Sequence, residues 1–425
     1  MSQRRVVITG MGVVAPNGHG LEAFRQALRD GVSGITFHER LKELGFGCQV
    51  GGVPLMVDDA VKSRYFTAEE LPAMNAAMVY SCIAAIDAWR DAGLRVPAWD
   101  EDVLNEESGA IIGTGIGGID TLGDKVVPMT NAAQVRRLGS TIVEQTMASS
   151  VSAKMSGLLA LGNQVTTNSC ACSTGTEALI MGTQRIRDGL ADRMLVGGAE
   201  GSSPYAWSGF DALRVLNRTS NERPTAASRP MSQSAKGFVP GSGAGVLVVE
   251  ELEFAKARGA RIYAEVIGTN INSGGMRRGG SMTAPSPYSV QRCIRSAIIA
   301  AQIQPREIDY INGHLTSTGA DPVEIQSWTN ALELKPEHFP LINSTKSMIG
   351  HALGAAGAIE CIATMLQMEG GFVHGSINCD DLHEKIAPIA GSIPHRTVTK
   401  GINIAAKASF GFGDVNSCIV FRKWS

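Results

Sequence analysis

Short runs of aliphatic and β-branched residues that close on glycine or another small residue recur along the chain. They stand at 6–12 (VVITGMG), 109–118 (GAIIGTGIGG), 193–201 (RMLVGGAEG), 262–272 (IYAEVIGTNIN), 308–317 (IDYINGHLTS) and 402–414 (INIAAKASFGFGD). Between them lie LEAFRQALRDG, AMVYSCIAAIDAWRDAGL, TEALIMGTQRIRDGL and VQRCIRSAIIAAQI, whose apolar residues recur every three or four positions, the helical period. Strands alternating with helices predict an α/β arrangement of parallel, mostly buried sheets. The strand-like VLVVEE (246–251) and the charged, helix-like FAKARGA (254–260) divide the chain near residue 255, so two halves are expected, 1–255 and 256–425. No fixed period of the solenoid kind is visible, yet each half ends its strands in loops rich in functional residue types.

The 425 residues are enough for two or three units, each with its own core. Apolar residues make up 44% and charged residues 18%, with a mean hydropathy of +0.04, the make-up of a folded globular protein. Lys plus Arg total 38 and Asp plus Glu 40, a formal charge of −2 with no long run of either sign, so nucleic acid or an anionic membrane as main partner lacks its basic footprint. No stretch reaches the ~18 apolar residues of a membrane span, and Thr9, Gly10 and Gly12 break the first apolar run too early for a signal peptide. The eight cysteines form neither a CxxC nor a regular framework, which predicts reduced thiols in the cytoplasm. Glycine is abundant, 49 residues, with no collagen-like period, and must serve tight turns and close backbone approaches.

GTGIGG satisfies G-x-G-x-x-G through Gly113, Gly115 and Gly118, but where a nucleotide fold needs a carboxylate about 20 residues on, the chain reads Arg136, Arg137, Leu138, Gly139. A structural loop is therefore expected. In TTNSCACSTGTEALIMG, Thr166–Ser169 read as a strand end and Ser173–Thr176 as the small, capping start of a helix. Cys172 then sits at a helix N-terminus, where the dipole and free N–H groups favour a thiolate and bind an oxyanion. Cys170, two positions earlier, lies on the same side but deeper, and Cys172 is the expected nucleophile. His314 ends the strand IDYING before a hydroxyl-rich loop, and His351 follows STKSMIG, with Lys346 five residues earlier, before a helix of small residues. Each alone has an ordinary structural role. Together they place Cys, His, Lys and His on strand-end or helix-start loops.

These segments resemble the β-ketoacyl-acyl-carrier-protein synthases of types I and II, the elongating condensing enzymes of the thiolase fold. RRVVITGMGVVAPNG is similar to the family's first strand and turn, GTGIGG to its glycine loop, SCACSTG to its nucleophile motif with Cys172, and GHLTSTGAD to its first histidine motif. STKSMIGHALGAAGAIE is similar to the second, with Lys346, His351 and Glu360, and ASFGFGDVN to the C-terminal gate loop with Phe410 and Phe412. The chain departs from the pattern at Gly313, usually alanine or serine, and at Leu315, usually glycine. It departs also at Ser232, Ala235 and Lys236, where an aspartate and an arginine-aspartate pair are familiar, at Ser242, usually acidic, and at Asp414, usually glycine.

The resemblance implies two related α/β halves in an α-β-α-β-α layering, and a decarboxylative Claisen condensation in fatty acid chain elongation. Cys172 would carry the acyl group, with the N–H groups of Cys172 and Phe412 as oxyanion donors. His314 and His351 would stabilise the enolate of malonyl-acyl-carrier-protein, and Lys346 would pair with Glu360 and hold His351 neutral. Thr283, Thr316 and Thr318 would hold the pantetheine arm, and Ile116, Phe210 and Phe410 would line the substrate pocket. No metal or further cofactor is implied beyond the phosphopantetheine of the carrier. An acyl carrier protein is the expected partner and a homodimer the expected assembly. The alternative is a pathway-specific ketosynthase of a polyketide or aryl-polyene assembly line, paired with a chain-length subunit. A thiolase would carry a C-terminal CxG-like cysteine, whereas Cys418 lies in the strand-like NSCIVF; an initiating synthase would have asparagine at His351.

Overall fold

The structure is a computed structural model and describes residues 4–424. Ten strands form one continuous path: β1 (Val6–Ala15), β2 (Ser108–Gly113), β3 (Val165–Thr166), β4 (Arg193–Glu200), β5 (Gly243–Glu251), β6 (Ala264–Ser273), β7 (Tyr310–Asn312), β8 (Leu341–Asn343), β9 (Ile404–Gly411) and β10 (Val415–Lys423). Their order is β8-β7-β9-β10-β6-β1-β5-β4-β2-β3, with Gly18–His19 folding back on β1 as an eleventh, short strand. Outward from the middle, β1-β5-β4-β2-β3 and β6-β10-β9-β7-β8 repeat one order with the same directions. The two sets meet only where Val7 and Ile8 pair with Glu265 and Ala264.

The layering follows from the alternation of side chains along each strand. Leu247 and Val249 of β5, with Ile419 and Phe421 of β10, face a central core. Val246 and Val248 face a second core, and Cys418 and Val420 a third. Helices α2 (Thr174–Arg187) and α6 (Ala356–Gly370) fill the centre, α1 (Ala76–Asp91) covers the outer face of the first strand set, and α3 (Pro287–Ala300) with α4 (Asp321–Leu332) that of the second. This is the α-β-α-β-α layering of a thiolase fold. A bulge between Ile8 and Gly10 lets Ile8 and Met11 share the central face despite their odd spacing.

The expectation of parallel sheets holds for β2–β4 and for β7–β9, whereas β1, β5, β6 and β10 pair antiparallel. The apolar runs signal strands covered on both faces, and helices on both sides produce that burial whatever the strand direction. The three-residue connection Phe412–Asp414 between β9 and β10 permits only the antiparallel arrangement.

The two central helices touch through glycine. A Cβ at Gly357 of α6 would stand 2.3 Å from Thr176 Oγ1 and 2.7 Å from Thr176 N, and one at Gly175 of α2 would stand 2.7 Å from Ala358 N. Gly357→Ala is therefore expected to destabilise the fold by about 1 to 3 kcal/mol, as overpacking of a dense core does. Gly209→Ala, where nothing lies within 4 Å of the added methyl, is expected to leave stability unchanged or slightly raised. Denaturant unfolding of the two variants checks the contrast.

Candidate active site

β3 ends at Thr166, and the chain crosses to α2 through a single 3₁₀ turn, Ala171–Ser173. Ala171 holds φ +48°, a left-handed conformation that costs a non-glycine residue free energy and forces a sharp elbow just before Cys172. Ser173 Oγ donates to Ser409 O and Val415 O, and Thr174 Oγ1 to Ala171 O, so the elbow is tied to β9, β10 and itself. Cys172 Sγ lines a cavity of about 430 Å³. Cys170 does not line it; burial, with Glu177 beside it, pushes its thiol up to about 12. The expectation that the helix start yields a resting thiolate needs correction. Burial pushes the Cys172 thiol up to about 11, outweighing Lys346 and the Phe412 N–H, which both favour the anion.

His351 Nε2 lies 3.0 Å from Cys172 Sγ, while His351 Nδ1 accepts the Leu353 N–H at 3.2 Å. Accepting at Nδ1 assigns the proton of the neutral ring to Nε2, which points it at the sulfur. His314 is held alike: Lys346 Nζ stands 3.5 Å from its Nδ1 and donates to its carbonyl at 2.7 Å. Both imidazoles are buried, and their pKa values lie well below 6.5, first through desolvation and then through the Lys346 ammonium. Lys346 opens the short helix α5 (Lys346–Ile349) and forms a fully buried ion pair with Glu360 of α6. Two neutral rings thus aim N–H groups into one pocket, backed by a buried ion pair.

Of the residues singled out in the sequence, Cys172, His314, His351, Thr283, Thr316, Thr318, Phe210, Phe410 and Phe412 all line the cavity. Lys346 and Glu360 lie behind it. Ile116 does not line this cavity in the single chain, where 37% of its surface is exposed. The cause is Glu200 at the end of β4, whose buried carboxylate accepts N–H groups from Gly115 (2.9 Å), Ile116 (3.0 Å) and Gly354 (3.0 Å). The glycine loop therefore cradles an anion of the protein itself. Added Cβ atoms at Gly115 and Gly354 would meet Glu200 Oε2 at 2.8 and 2.9 Å, so these two glycines serve that contact.

Two of the departures from the family pattern explain one another, and others find partners elsewhere in the chain. A Cβ at Gly313 would fall 2.6 Å from Leu315 Cδ1, and Leu315 is fully buried, so the bulky residue at 315 requires the bare one at 313. Asp414, at φ +58°, turns its buried carboxylate to the N–H groups of Met276 (3.0 Å) and Ser286 (2.8 Å) and to Ser289 Oγ (3.2 Å). It thereby ties the cavity-lining segment Thr283–Pro285 to the turn that carries Phe412. Ser232 Oγ and Ser234 N donate to Asp381, a carboxylate from elsewhere in the chain. Ser242 Oγ donates to Gly52 O.

Sequence reasoning missed the carboxylates that hold the first histidine loop. Glu324 accepts the N–H groups of His314 and Leu315, both at 2.7 Å, and Asp321 those of Thr316, Ser317 and Met231. Burial pushes Glu324 up to about 7 and Asp321 up to about 6. Their signal was two acids in the first turn of a helix that follows GHLTSTG. Lys407, inside an otherwise apolar strand run, was missed too. The ligand atoms of Cys172, His314 and His351 lie within 4.8 Å of one another, close enough for a cation, yet the Lys346 and Lys407 ammoniums behind them oppose a second positive charge.

Residues 3–255 match the family model for the β-ketoacyl synthase N-terminal domain, and residues 263–380 that for the C-terminal domain. The chain is 36% identical to 3-oxoacyl-[acyl-carrier-protein] synthase 2 of Vibrio harveyi, over 100% of this chain and 99% of that protein. It is 34% identical to 3-oxoacyl-[acyl-carrier-protein] synthase 1 of Escherichia coli, over 99% of each. Among solved structures, the ishigamide ketosynthase/chain length factor superposes with a TM-score of 0.89 at 29% identity, covering both chains fully. A type II PKS acyl-carrier protein in complex with its ketosynthase bound to the hexaketide gives 0.88 at 30%, again over both full chains. With the nucleophile elbow and two histidine motifs folded around one cavity, the chain belongs to the β-ketoacyl synthases, condensing enzymes of the thiolase fold.

Proposed function

We propose that this enzyme condenses an acyl thioester, loaded on Cys172, with malonyl-acyl-carrier-protein in fatty acid chain elongation. The observation that carries the reading is the convergence of the Cys172 thiol with the Nε2–H groups of two neutral histidines in a cavity whose mouth bears Thr283, Thr316 and Thr318. In the first step the Cys172 sulfur attacks the acyl-pantetheine carbonyl, the pantetheine sulfur leaves with the thiol's proton, and the Cys172 and Phe412 N–H groups hold the intermediate oxyanion. In the second, malonyl-pantetheine loses carbon dioxide. The electron pair of the broken bond becomes an enolate whose oxygen accepts hydrogen bonds from His314 and His351. The enolate carbon then attacks the acyl carbonyl, and the Cys172 sulfur leaves and regains a proton. The phosphopantetheine arm belongs to the carrier, and the three threonines are its proposed hydrogen-bonding partners. No metal or other cofactor enters these steps.

The assembly proposed is a dimer. Leu122, Val127, Val135, Val143 and Met147 are each more than a third exposed within one segment, and β3 is an open sheet edge, an arrangement that a second copy or a related subunit would cover. We further place the two structural halves at 1–255 and 256–425, each with one five-strand set. No described helix is long and apolar enough to cross a membrane, and the described cysteines are unpaired, which suits a reducing cytoplasm.

The similarity to the ishigamide ketosynthase/chain length factor favours a second reading, an assembly-line ketosynthase working beside a related subunit. The mass of the acyl group trapped on Cys172 after expression with native carrier proteins separates them: saturated straight chains support elongation, and polyene or polyketide chains the alternative.

Two outcomes follow. His314→Ala and His351→Ala are expected to accept an acyl group on Cys172 while condensation falls by ~10² to 10³, the loss typical of one oxyanion donor. Intact-protein mass and product formation, measured on the same sample, check this. Limited iodoacetamide near neutral pH, followed by peptide mapping, is expected to label Cys172 ahead of Cys170, since only Cys172 opens onto the cavity.

A further inference from the structure

Lys407 is fully buried in the middle of β9, on the strand face that Ala405 turns to the central core, opposite to that of Ala406 and Ala408. Its Nζ stands 2.9 Å from Glu360 Oε2, at ion-pair distance but off a hydrogen-bonding direction, and donates instead to Ala408 O and Ser409 Oγ. Glu360 already has a partner, because Lys346 donates to its other oxygen. Two lysines therefore share one carboxylate, and the buried cluster carries two positive charges against one negative. Burying a second ammonium is costly, and nothing in the pairing of Lys346 with Glu360 requires it.

We propose that Lys407 is a tuning residue of the active site. It leaves the Lys346–Glu360 cluster with one uncompensated positive charge, and that charge holds His314 and His351 as neutral donors and favours anions formed in front of them. The inference rests on the condensing function proposed above. Lys407 touches no substrate and acts through its field.

The other titratable groups packed around the cluster do not cancel this charge. Glu324 of α4, held near 7 by burial, is largely protonated in the acid range where the histidines are tested, and its oxygens face the His314 and Leu315 N–H groups. Cys361 of α6 and Cys418 of β10 are thiols pushed up to about 12 by burial. Asp321 is turned to the backbone of the first histidine loop, Glu200 to the glycine loop, and Glu177 to Cys170. Lys407 adds to Lys346 in holding both histidine pKa values down.

The test is the pH dependence of single-turnover condensation with acyl- and malonyl-carrier substrates, for the native enzyme, Lys407→Met, Lys407→Gln and the double variant Lys407→Met/Glu360→Gln. Removing one positive charge raises both histidine pKa values, so the acid limb is expected to move to higher pH by roughly one unit in either single variant. The double variant, with Lys346 as its only charge, has the net charge of the native cluster, and its limb is expected to return. A thermal melt of each variant establishes that it is folded. An acid limb that stays in place in folded Lys407→Met or Lys407→Gln, or that fails to return in the double variant, overturns the proposal. A native enzyme that forms no β-ketoacyl product at any pH overturns the functional reading instead, so the two failures are distinct.

Discussion

The contact between α2 and α6 is the constraint on which the rest of the site depends. Each helix starts from a loop after the third strand of its own set, and each carries glycine where it meets the other. Because Gly175 and Gly357 let the backbones come together, the elbow before α2 and the turn before α6 share one pocket, and Cys172 and His351, 179 residues apart in sequence, approach to 3.0 Å. A branched residue at either glycine would separate the two helix starts. The pairing of the first strand set with the second, through two residues of β1 and β6, is too slight to fix that distance.

Burial sets the chemistry of the groups thus assembled. It pushes the Cys172 thiol up and both histidine pKa values down, so charge on the nucleophile and its neighbours is disfavoured before substrate binds. Charge appears only as the reaction develops it, in front of donors already aimed. The positive cluster below, Lys346 and Lys407 on Glu360, is fully removed from water, where its field is weakly screened. Fixed donors and a fixed field of this kind need no reorganisation during the chemical step.

The sequence made the alternation of strands and helices, the elbow cysteine and both histidine loops legible, because turn chemistry and small-residue runs are local signals. Glu200, Glu324 and Lys407 were not legible. Each is an ordinary acid or lysine until the fold shows what it faces: a glycine loop 84 residues away for Glu200, the His314 backbone for Glu324, and a carboxylate on another layer for Lys407. The orientation of the loop that carries Ile116 is hidden for the same reason, since it is decided by that distant Glu200 carboxylate. Strand direction was hidden because helices cover both faces of parallel and antiparallel strands alike. The departures at Gly313 and Leu315 read as two anomalies in sequence and as one compensated pair in space.

On the proposed mechanism, Cys172 and the two histidines perform acyl loading and decarboxylative condensation in sequence. The decisive measurement uses enzyme first acylated on Cys172 and then mixed with malonyl-carrier labelled with carbon-13 at the free carboxyl. Loss of the acyl mass from Cys172, release of labelled carbon dioxide and appearance of the unlabelled β-ketoacyl-carrier are expected to occur together in equal amounts. Release of the acyl group as free acid, or transfer of it with the labelled carboxyl retained in the product, would contradict the mechanism.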